Sequence, residues 1–456
     1  MRELKNYRAT KFYFLGVGGA SMSALAKYVL SAGGEVVGYD ASRSSRTDEL
    51  QSKGVKIYFS QEVTDEEKAA INSADEIVCT SAITAGNLRY DECLAQGKKI
   101  VPRGEFLAKT SGAFRDTIAV AGSHGKTTCT CMCAHIFYAA NEPFAMHAGG
   151  EDLLFSNYFE TGKKFFITEA CEYKKNLLKL SPSLSVLLNA DRDHMECYGG
   201  EEELIGAFSR YCNAGKRALV CADDEKITPQ RFPYPSFGIE NKNAYYKANS
   251  LESDGERYSF DFCENNRPLC RVKLRVAGRV NVYNALAAGA AARTFGLSAE
   301  SVAAGLNAFS GVKRRFEKVG EKNGAAYICD YAHHPREIAA ALNTAEKLTK
   351  NRLYVIFQPH TYSRTETLFS EFVRSLSLAR NLLIFKEYAA RERYNEHGSA
   401  KRLAQCVGGA AYAQTQEEIE QWIAGRARAG DTVLFLGAGD IYERAKSMVA
   451  EAHNGR

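Results

Sequence analysis

The chain has 456 residues, 45% of them hydrophobic and 25% charged, with a formal net charge of +5. That length exceeds one core and calls for two to four domains of ordinary globular composition. No run of about 18 apolar residues exists to span a membrane, and no Lys/Arg block or RNP-type aromatic motif accompanies the mild positive charge, so neither membrane nor nucleic acid is an expected partner.

The first residues, Met-Arg-Glu-Leu-Lys-Asn, run into a strand without an apolar targeting core, which predicts a cytoplasmic protein. Thirteen cysteines lie scattered with no C-x-x-C pair. They read as buried reduced thiols; Cys129 and Cys133 share a helix face, which cannot make a zinc site alone.

Residues 1–112 alternate strand and helix: strands at 11–15, 35–39, 75–80 and 99–102, with a helix at 22–30 between the first two. This is a parallel, doubly wound pattern. Gly16, Gly18 and Gly19 form a turn between the first strand and its helix, and Asp40 closes the second strand. A glycine turn suits a pyrophosphate and the acid suits ribose hydroxyls. Ser21 replaces the third glycine of the dinucleotide pattern, so a purely structural turn is the competing reading.

Residues 113–310 form a second unit with strands at 117–122, 164–169, 185–189 and 217–221, then a polar stretch, an alternating edge strand at 269–276 and a helix at 281–295. Its key segment is Gly122-Ser123-His124-Gly125-Lys126-Thr127-Thr128, between a β-branched run and a helix. Two glycines let successive N–H groups converge and the helix adds its positive end. Lys126 suits the β/γ oxygens of a nucleotide, and Thr127 suits its metal ion. The strict P-loop pattern is not met, because Val120 stands where its first glycine belongs. Strand ends in an open α/β sheet converge on the ligand crevice, so Glu169 and His194 are placed to hold a second divalent ion. Glu172, Asp191 and Asp193 follow as supporting groups.

Residues 311–456 restart the alternation: strands at 325–331, 352–357, 381–386 and 431–437, and helices at 336–347 and 366–378. Asp330-Tyr331-Ala332-His333-His334 ends one strand, and His360 and Arg364 follow the next. A guanidinium there can grip a carboxylate and an imidazole can accept a proton. The arginine pair at 314–315 opens this region and can reach a phosphate. The fold class expected is α/β in three domains: a Rossmann-like N-terminal domain, a central P-loop ATPase-type mixed sheet and a Rossmann-like C-terminal domain.

Five segments, Ser-His-Gly-Lys-Thr-Thr, Glu-Ala-Cys-Glu-Tyr, Gly-Val-Lys-Arg-Arg-Phe, Asp-Tyr-Ala-His-His-Pro-Arg-Glu-Ile and Phe-Gln-Pro-His-Thr-Tyr-Ser-Arg-Thr, occur here in order. Together they resemble the Mur ligase family, the ATP-dependent amide ligases of peptidoglycan precursor synthesis. The resemblance implies ligation of L-alanine to the lactyl carboxylate of UDP-N-acetylmuramate through an acyl phosphate. ATP and Mg2+ are the implied cofactors, with Mn2+ as substitute, in a monomer or weak homodimer. It places Gly16, Gly18, Gly19, Asp40 and Ser81 at the UDP-sugar. Gly122, Ser123, His124, Gly125, Lys126, Thr127 and Thr128 fall at the ATP phosphates, and Asn281 and Asn284 at adenine. Arg315 would meet the γ-phosphate and Asp330 the ribose. Thr127, Glu169 and His194 fall at metal, and Tyr331, His333, His360 and Arg364 around the incoming alanine. Lys126, Arg315, His333 and His360 are the catalytic set, with His333 or His360 accepting the amine proton.

Three departures bear on the resemblance. Val280 takes the histidine position of the adenine motif, and Ser123 replaces a threonine. The place of the carbamylated lysine found in some members falls near Ser209, so no carbamate ligand is expected. A ligase that adds a whole tripeptide, a non-catalytic ATP-binding regulator and a Rossmann dehydrogenase are the competing readings. The last leaves Lys126 and the histidine-rich third region without a purpose.

Overall fold

Runs of β-branched and aromatic residues, many of them followed by a helix, build three separate sheets in the computed structural model, which describes residues 7–192, 195–227, 231–255, 257–390 and 392–454. Asp193 and His194, both singled out in the sequence, lie outside the described residues.

The first sheet joins β1 (Lys11–Leu15), β2 (Glu35–Tyr39), β3 (Lys56–Tyr58), β4 (Glu76–Cys79) and β5 (Ile100–Pro102) in the order β3-β2-β1-β4-β5. Every pairing is parallel, so the connections leave β1 and β4 on opposite sides and open a crevice at their carboxyl ends. Tyr13, Leu15, Ile77 and Cys79 fill one face of this sheet with Ile71 and Cys93.

The second sheet comprises β6 (Asp116–Ala121), β7 (Phe144–Asp152), β8 (Ser156–Glu160), β9 (Phe165–Glu169), β10 (Leu184–Leu187), β11 (Ala218–Cys221), β12 (Ser236–Gly238), β13 (Tyr246–Ser253), β14 (Arg257–Glu264) and β15 (Arg267–Ala277). Its order is β15-β14-β13-β12-β11-β10-β6-β9-β7-β8. β6 lies between β10 and β9, parallel to both, while β7 and β8 form an antiparallel hairpin. The expected edge strand is β15. The polar stretch before it supplies three strands of its own.

The third sheet contains β16 (Glu317–Lys322), β17 (Ala325–Asp330), β18 (Leu353–Phe357), β19 (Leu382–Phe385), β20 (Ala411–Ala413) and β21 (Thr432–Leu436) in the order β16-β17-β21-β18-β19-β20. Only β16 runs antiparallel. Alternate residues of its central strands feed two apolar cores, Val355, Phe357, Leu434 and Leu436 on one face and Tyr354, Ile356, Val433 and Phe435 on the other. The α/β class and the mixed central sheet agree with the sequence. The single helix expected at 366–378 is instead two, Tyr362–Thr367 and Phe369–Leu376. Leu368 leaves helical geometry between them (φ −111°, ψ 25°) and buries its side chain in the core with Phe372 and Leu376.

The chain divides into two compact units. One comprises Met1–Leu251, Ser259–Lys273 and Asn281–Ser310, and carries the first sheet and most of the second; the other comprises Glu252–Tyr258, Leu274–Val280 and Gly311–Arg456. Within the first unit, the helix Ala20–Ser31 docks on the β7–β8 hairpin. Buried Lys27 donates to Asn157 Oδ1 at 2.8 Å, and Asn157 Nδ2 donates to the Ala20 carbonyl at 2.7 Å. Among the described residues, no helix is long and apolar enough to cross a membrane.

Candidate active site

Gly122 follows β6 and the helix Lys126–Ala139 starts at its N-cap Gly125, with φ of +133° and +85°. Both values lie where only glycine is unstrained. Space is short as well, since a Cβ on Gly125 would stand 2.5 Å from Asn284 Oδ1. No side chain caps this helix, so its first N–H groups remain directed at the loop, an arrangement suited to an anion.

The loop is tied to the segment after β10. Ser123 Oγ donates to the Asp191 carbonyl at 2.9 Å and accepts from Asp191 N at 2.8 Å. His124 N donates to Asn189 Oδ1 at 2.8 Å, and Asn189 Nδ2 returns to the His124 carbonyl at 3.0 Å. Lys126 Nζ curls over the loop to the carbonyls of Gly122 (2.6 Å) and Ser123 (3.0 Å), and pairs with Glu172 Oε1 at 3.0 Å. Glu172, read from sequence only as a supporting group, is fully buried and contacts the lysine directly.

Thr127 and Thr128 are buried at the helix start. Glu169 ends β9, in register with Val120 beside the loop, and accepts from Gly149 N at 2.5 Å. Asn284 lies buried on the helix Val280–Thr294 and donates to Asn281 Oδ1 at 3.1 Å. Val280, at the start of that helix, is exposed, so its missing histidine removes no packing. Burial pushes the thiols of Cys129 and Cys131 well above the usual range, which leaves them inert.

In the first sheet, Gly16 (φ +82°) and Gly18 follow β1. Asp40 closes the turn by accepting from Gly18 N at 2.7 Å and Ser42 N at 3.3 Å. A Cβ on Gly18 would press on that carboxylate at 2.9 Å. Gly19 is the N-cap of Ala20–Ser31, again without a side-chain cap. Ser81 follows β4, and its carbonyl accepts from Lys174, in the short helical segment Tyr173–Lys179 after β9, at 3.3 Å. Thus the glycine turn, Asp40 and Ser81 all border the crevice beyond β1 and β4.

In the other unit, Asp330 ends β17 and accepts from Phe316 N and Ala332 N, each at 2.8 Å. Burial pushes its carboxyl up to about 6, against the pull of Arg315 and with the repulsion of Glu337. The Arg315 guanidinium lies 5.0 Å from the centre of the Tyr331 ring and 3.8 Å from Glu337 Oε1. His333 Nδ1 faces the Tyr331 carbonyl at 2.9 Å and Glu337 Oε2 at 3.3 Å. The His333 and His360 rings lie 6.0 Å apart, and Arg364 Nη1 approaches His360 Nδ1 at 3.4 Å. Burial, aided by Arg364, lowers the His360 imidazole to about 4. The structure therefore gathers Arg315, Asp330, Tyr331, His333, His360 and Arg364 at the ends of two strands.

Two members of this group were missed in the sequence. Glu337 sits three residues beyond the N-cap His334 of the helix Pro335–Leu348, a spacing that capping rules favour and that could have marked it. Tyr388, stacked on His360 at 5.6 Å, comes from a distant loop and leaves no local signal. A third omission is His147 on β7, buried and lowered to about 3 by burial and by Arg103.

Family models match the chain in three consecutive stretches: the Mur ligase family catalytic domain over residues 11–115, the Mur ligase middle domain over 120–292 and the Mur ligase glutamate ligase domain over 314–439. The chain is 35% identical to a UDP-N-acetylmuramate–L-alanine ligase of Clostridium acetobutylicum, over 97% of this chain and 98% of that protein. A ligase of the same name from Clostridium tetani is also 35% identical, over 95% and 96% of the two chains. The crystal structure of a UDP-N-acetylmuramate-alanine ligase from Thermotoga maritima superposes with a TM-score of 0.83 at 26% identity, covering 98% of this chain and all of that one. A murein peptide ligase from Psychrobacter arcticus shares the fold, with a TM-score of 0.75 at 23% identity over 97% and 98% of the two chains.

Proposed function

The chain belongs to the Mur ligase family, and from that premise we propose that it joins L-alanine to the lactyl carboxylate of UDP-N-acetylmuramate at the expense of ATP. The observation that carries this reading is the phosphate loop with Lys126 drawn over it, Glu169 on the neighbouring strand end and Asn284 packed against Gly125.

A carboxylate is a poor acyl donor because its leaving group would be oxide. Attack of that carboxylate on the γ-phosphorus of ATP forms a C–O–P linkage and releases ADP, so that phosphate becomes the leaving group. Lys126 and Arg315 are assigned to the charge on the transferring phosphoryl oxygens. Thr127 presents a hard oxygen donor to the Mg2+ of the nucleotide, with Mn2+ as its substitute, and Glu169 presents one to a second ion; both ions would offset phosphate charge there. His194 is assigned with Glu169 to that second ion. Asn281 and Asn284 are assigned to adenine, Asp330 to ribose, and Gly16, Gly18, Gly19, Asp40 and Ser81 to the UDP-sugar.

Arg364 is assigned to the carboxylate of alanine, whose amine then attacks the acyl carbon and expels phosphate. Of the two histidines, His333 is the better acceptor for the amine proton. Its Nδ1–H, directed at the Tyr331 carbonyl and Glu337, leaves the lone pair on Nε2. His360, lowered to about 4, is too weak a base and is assigned to the wall around Tyr331 and Arg364.

Phosphate release from ATP and Mg2+ with UDP-N-acetylmuramate, adding L-alanine or the L-alanyl tripeptide in turn, tests this reading. Release that needs both sugar and alanine is expected. Release with the tripeptide alone would move the chain to the peptide-recycling branch, and no release with either would overturn the ligase reading.

A further inference from the structure

Ser21 stands where dinucleotide-type turns carry a third glycine, and β7 places His147 opposite it. Arg103 Nη1 lies 3.1 Å from Ser21 Oγ. A guanidinium only donates, so Ser21 Oγ accepts there, and His147 Nε2 meets both that hydroxyl at 2.9 Å and the Ser21 carbonyl at 3.3 Å. On the other side of the ring, Nδ1 is hydrogen-bonded to Thr168 Oγ1 at 2.9 Å. The Thr168 hydroxyl in turn donates to the Glu169 carbonyl at 3.3 Å. The imidazole thus bridges, through both ring nitrogens, from Ser21 beside the helix Arg103–Ser111 to the Thr168–Glu169 segment.

Cohesion between the two sheets does not need this series. The helix Ala20–Ser31 is already held to the hairpin by Lys27 and Asn157, and Arg46 pairs with Glu151 at 3.2 Å. What the series adds is a rigid polar link between the two segments assigned to different ligands. A side chain of the β-branched type usual in such a strand would make the same packing without the link.

We propose that His147 is a positioning residue that ties the glycine turn, assigned to the sugar nucleotide, to the Thr168–Glu169 segment, assigned to metal and ATP, so that each ligand once seated tightens the other. The proposal rests on the ligase reading above. Seating the diphosphate fixes the helix start at Ser21, which fixes the imidazole, which fixes Thr168 and the backbone from which the Glu169 carboxylate extends. Binding energy at one site thereby reduces the ordering cost at the other.

The test is calorimetric titration of the full chain with UDP-N-acetylmuramate, alone and with Mg2+ and the β,γ-methylene analogue of ATP, with unfolding midpoints recorded in parallel. In the wild type, the Kd for the sugar nucleotide is expected to fall about 5-fold or more when the analogue is present, the lower range of ordinary site coupling. That ratio should collapse to unity in Ser21→Ala, Thr168→Val and His147→Phe. A merely structural role would lower the midpoint and leave the ratio intact. Should His147→Phe fail to fold, the two smaller changes decide. A wild-type ratio of unity, or a ratio unchanged in both Ser21→Ala and Thr168→Val, overturns the coupling while alanine-dependent phosphate release leaves the ligase reading standing. Absence of both sugar-nucleotide binding and phosphate release overturns the ligase reading, and the coupling falls with it.

Discussion

Lys126 faces two demands at once. It neutralises a fully buried carboxylate, Glu172, and is assigned to the phosphoryl oxygens of ATP. Substitution by alanine should lower kcat by about 100-fold or more, the scale for losing one preorganised electrostatic group. It should also lower the unfolding midpoint, because removing one partner of a buried pair costs about 3–5 kcal/mol. The double change Lys126→Met with Glu172→Gln separates the two effects: the midpoint should recover and kcat should not. Recovery of kcat in the double variant would remove Lys126 from the chemistry. Asp330 gives a second test. Its folded pKa, about 6, lies above the ordinary 3.8, so the carboxyl is protonated below about 6 and the ribose acceptor is charged above it. The KM for ATP should therefore fall as pH rises through about 6, and Asp330→Asn should flatten that profile. Folding stability runs the other way: the raised pKa contributes stability that is complete below 3.8 and is lost as pH rises through about 6. A KM for ATP that is flat across this window in the wild type would refute the ribose assignment.

At the scale of elements, the phosphate loop depends on where its helix sits, and that position is set by one glycine. Gly305, on the helix Ala299–Ala308, lies against the backbone of Lys126–Ala139, where a Cβ would stand 2.4 Å from Ile136 Cα. Backbone cannot step aside as a side chain can. Gly305→Ala should force the helices apart, cost about 1–3 kcal/mol of stability as overpacking does and raise the KM for ATP while sparing that for UDP-N-acetylmuramate. Equal rises in both would show general damage instead. This dependence was not legible in the sequence, whereas the loop itself was. Gly122 through Thr128 are contiguous, so their chemistry can be read from a string, and the strand ends carrying Glu169, Asp330 and His360 follow from the βα alternation. Pairings across the fold leave no such trace. His147 lies on a strand that the sequence reading did not mark, Tyr388 lies in a loop remote from His360, and Glu172 reveals its lysine only when β9 is laid beside β6. The break at Leu368 is hidden for another reason: buried Thr365, Leu368, Phe372 and Leu376 keep a helical spacing across it. The strands β12 to β14 are short or polar on one side and look like loop.

For the whole molecule, the proposed chemistry divides into an acyl-phosphate step and an amide step, and the residues assigned to each divide in the same way. Lys126, Thr127, Glu169 and the sugar-nucleotide turn lie in the first unit, while Tyr331, His333, His360 and Arg364 lie in the second. Arg315 and Asp330 are the exceptions: both belong to the second unit by sequence and to the first step by assignment. Isotope exchange in ATP separates the steps, because reversible formation of an acyl phosphate scrambles the β,γ-bridging oxygen without any alanine. Arg364→Ala should keep that exchange, with ATP and UDP-N-acetylmuramate alone, at about the wild-type rate, while its KM for alanine rises and net ligation fails at ordinary alanine levels. Lys126→Ala and Arg315→Ala should lose exchange and ligation together, since both act on the transferring phosphoryl group. Exchange lost in Arg364→Ala would place that arginine in the first step and refute its role as the carboxylate anchor. Exchange retained in Arg315→Ala would confine it to the stack on Tyr331 and the pairing with Glu337, and the γ-phosphate would then be handled by the first unit's residues alone.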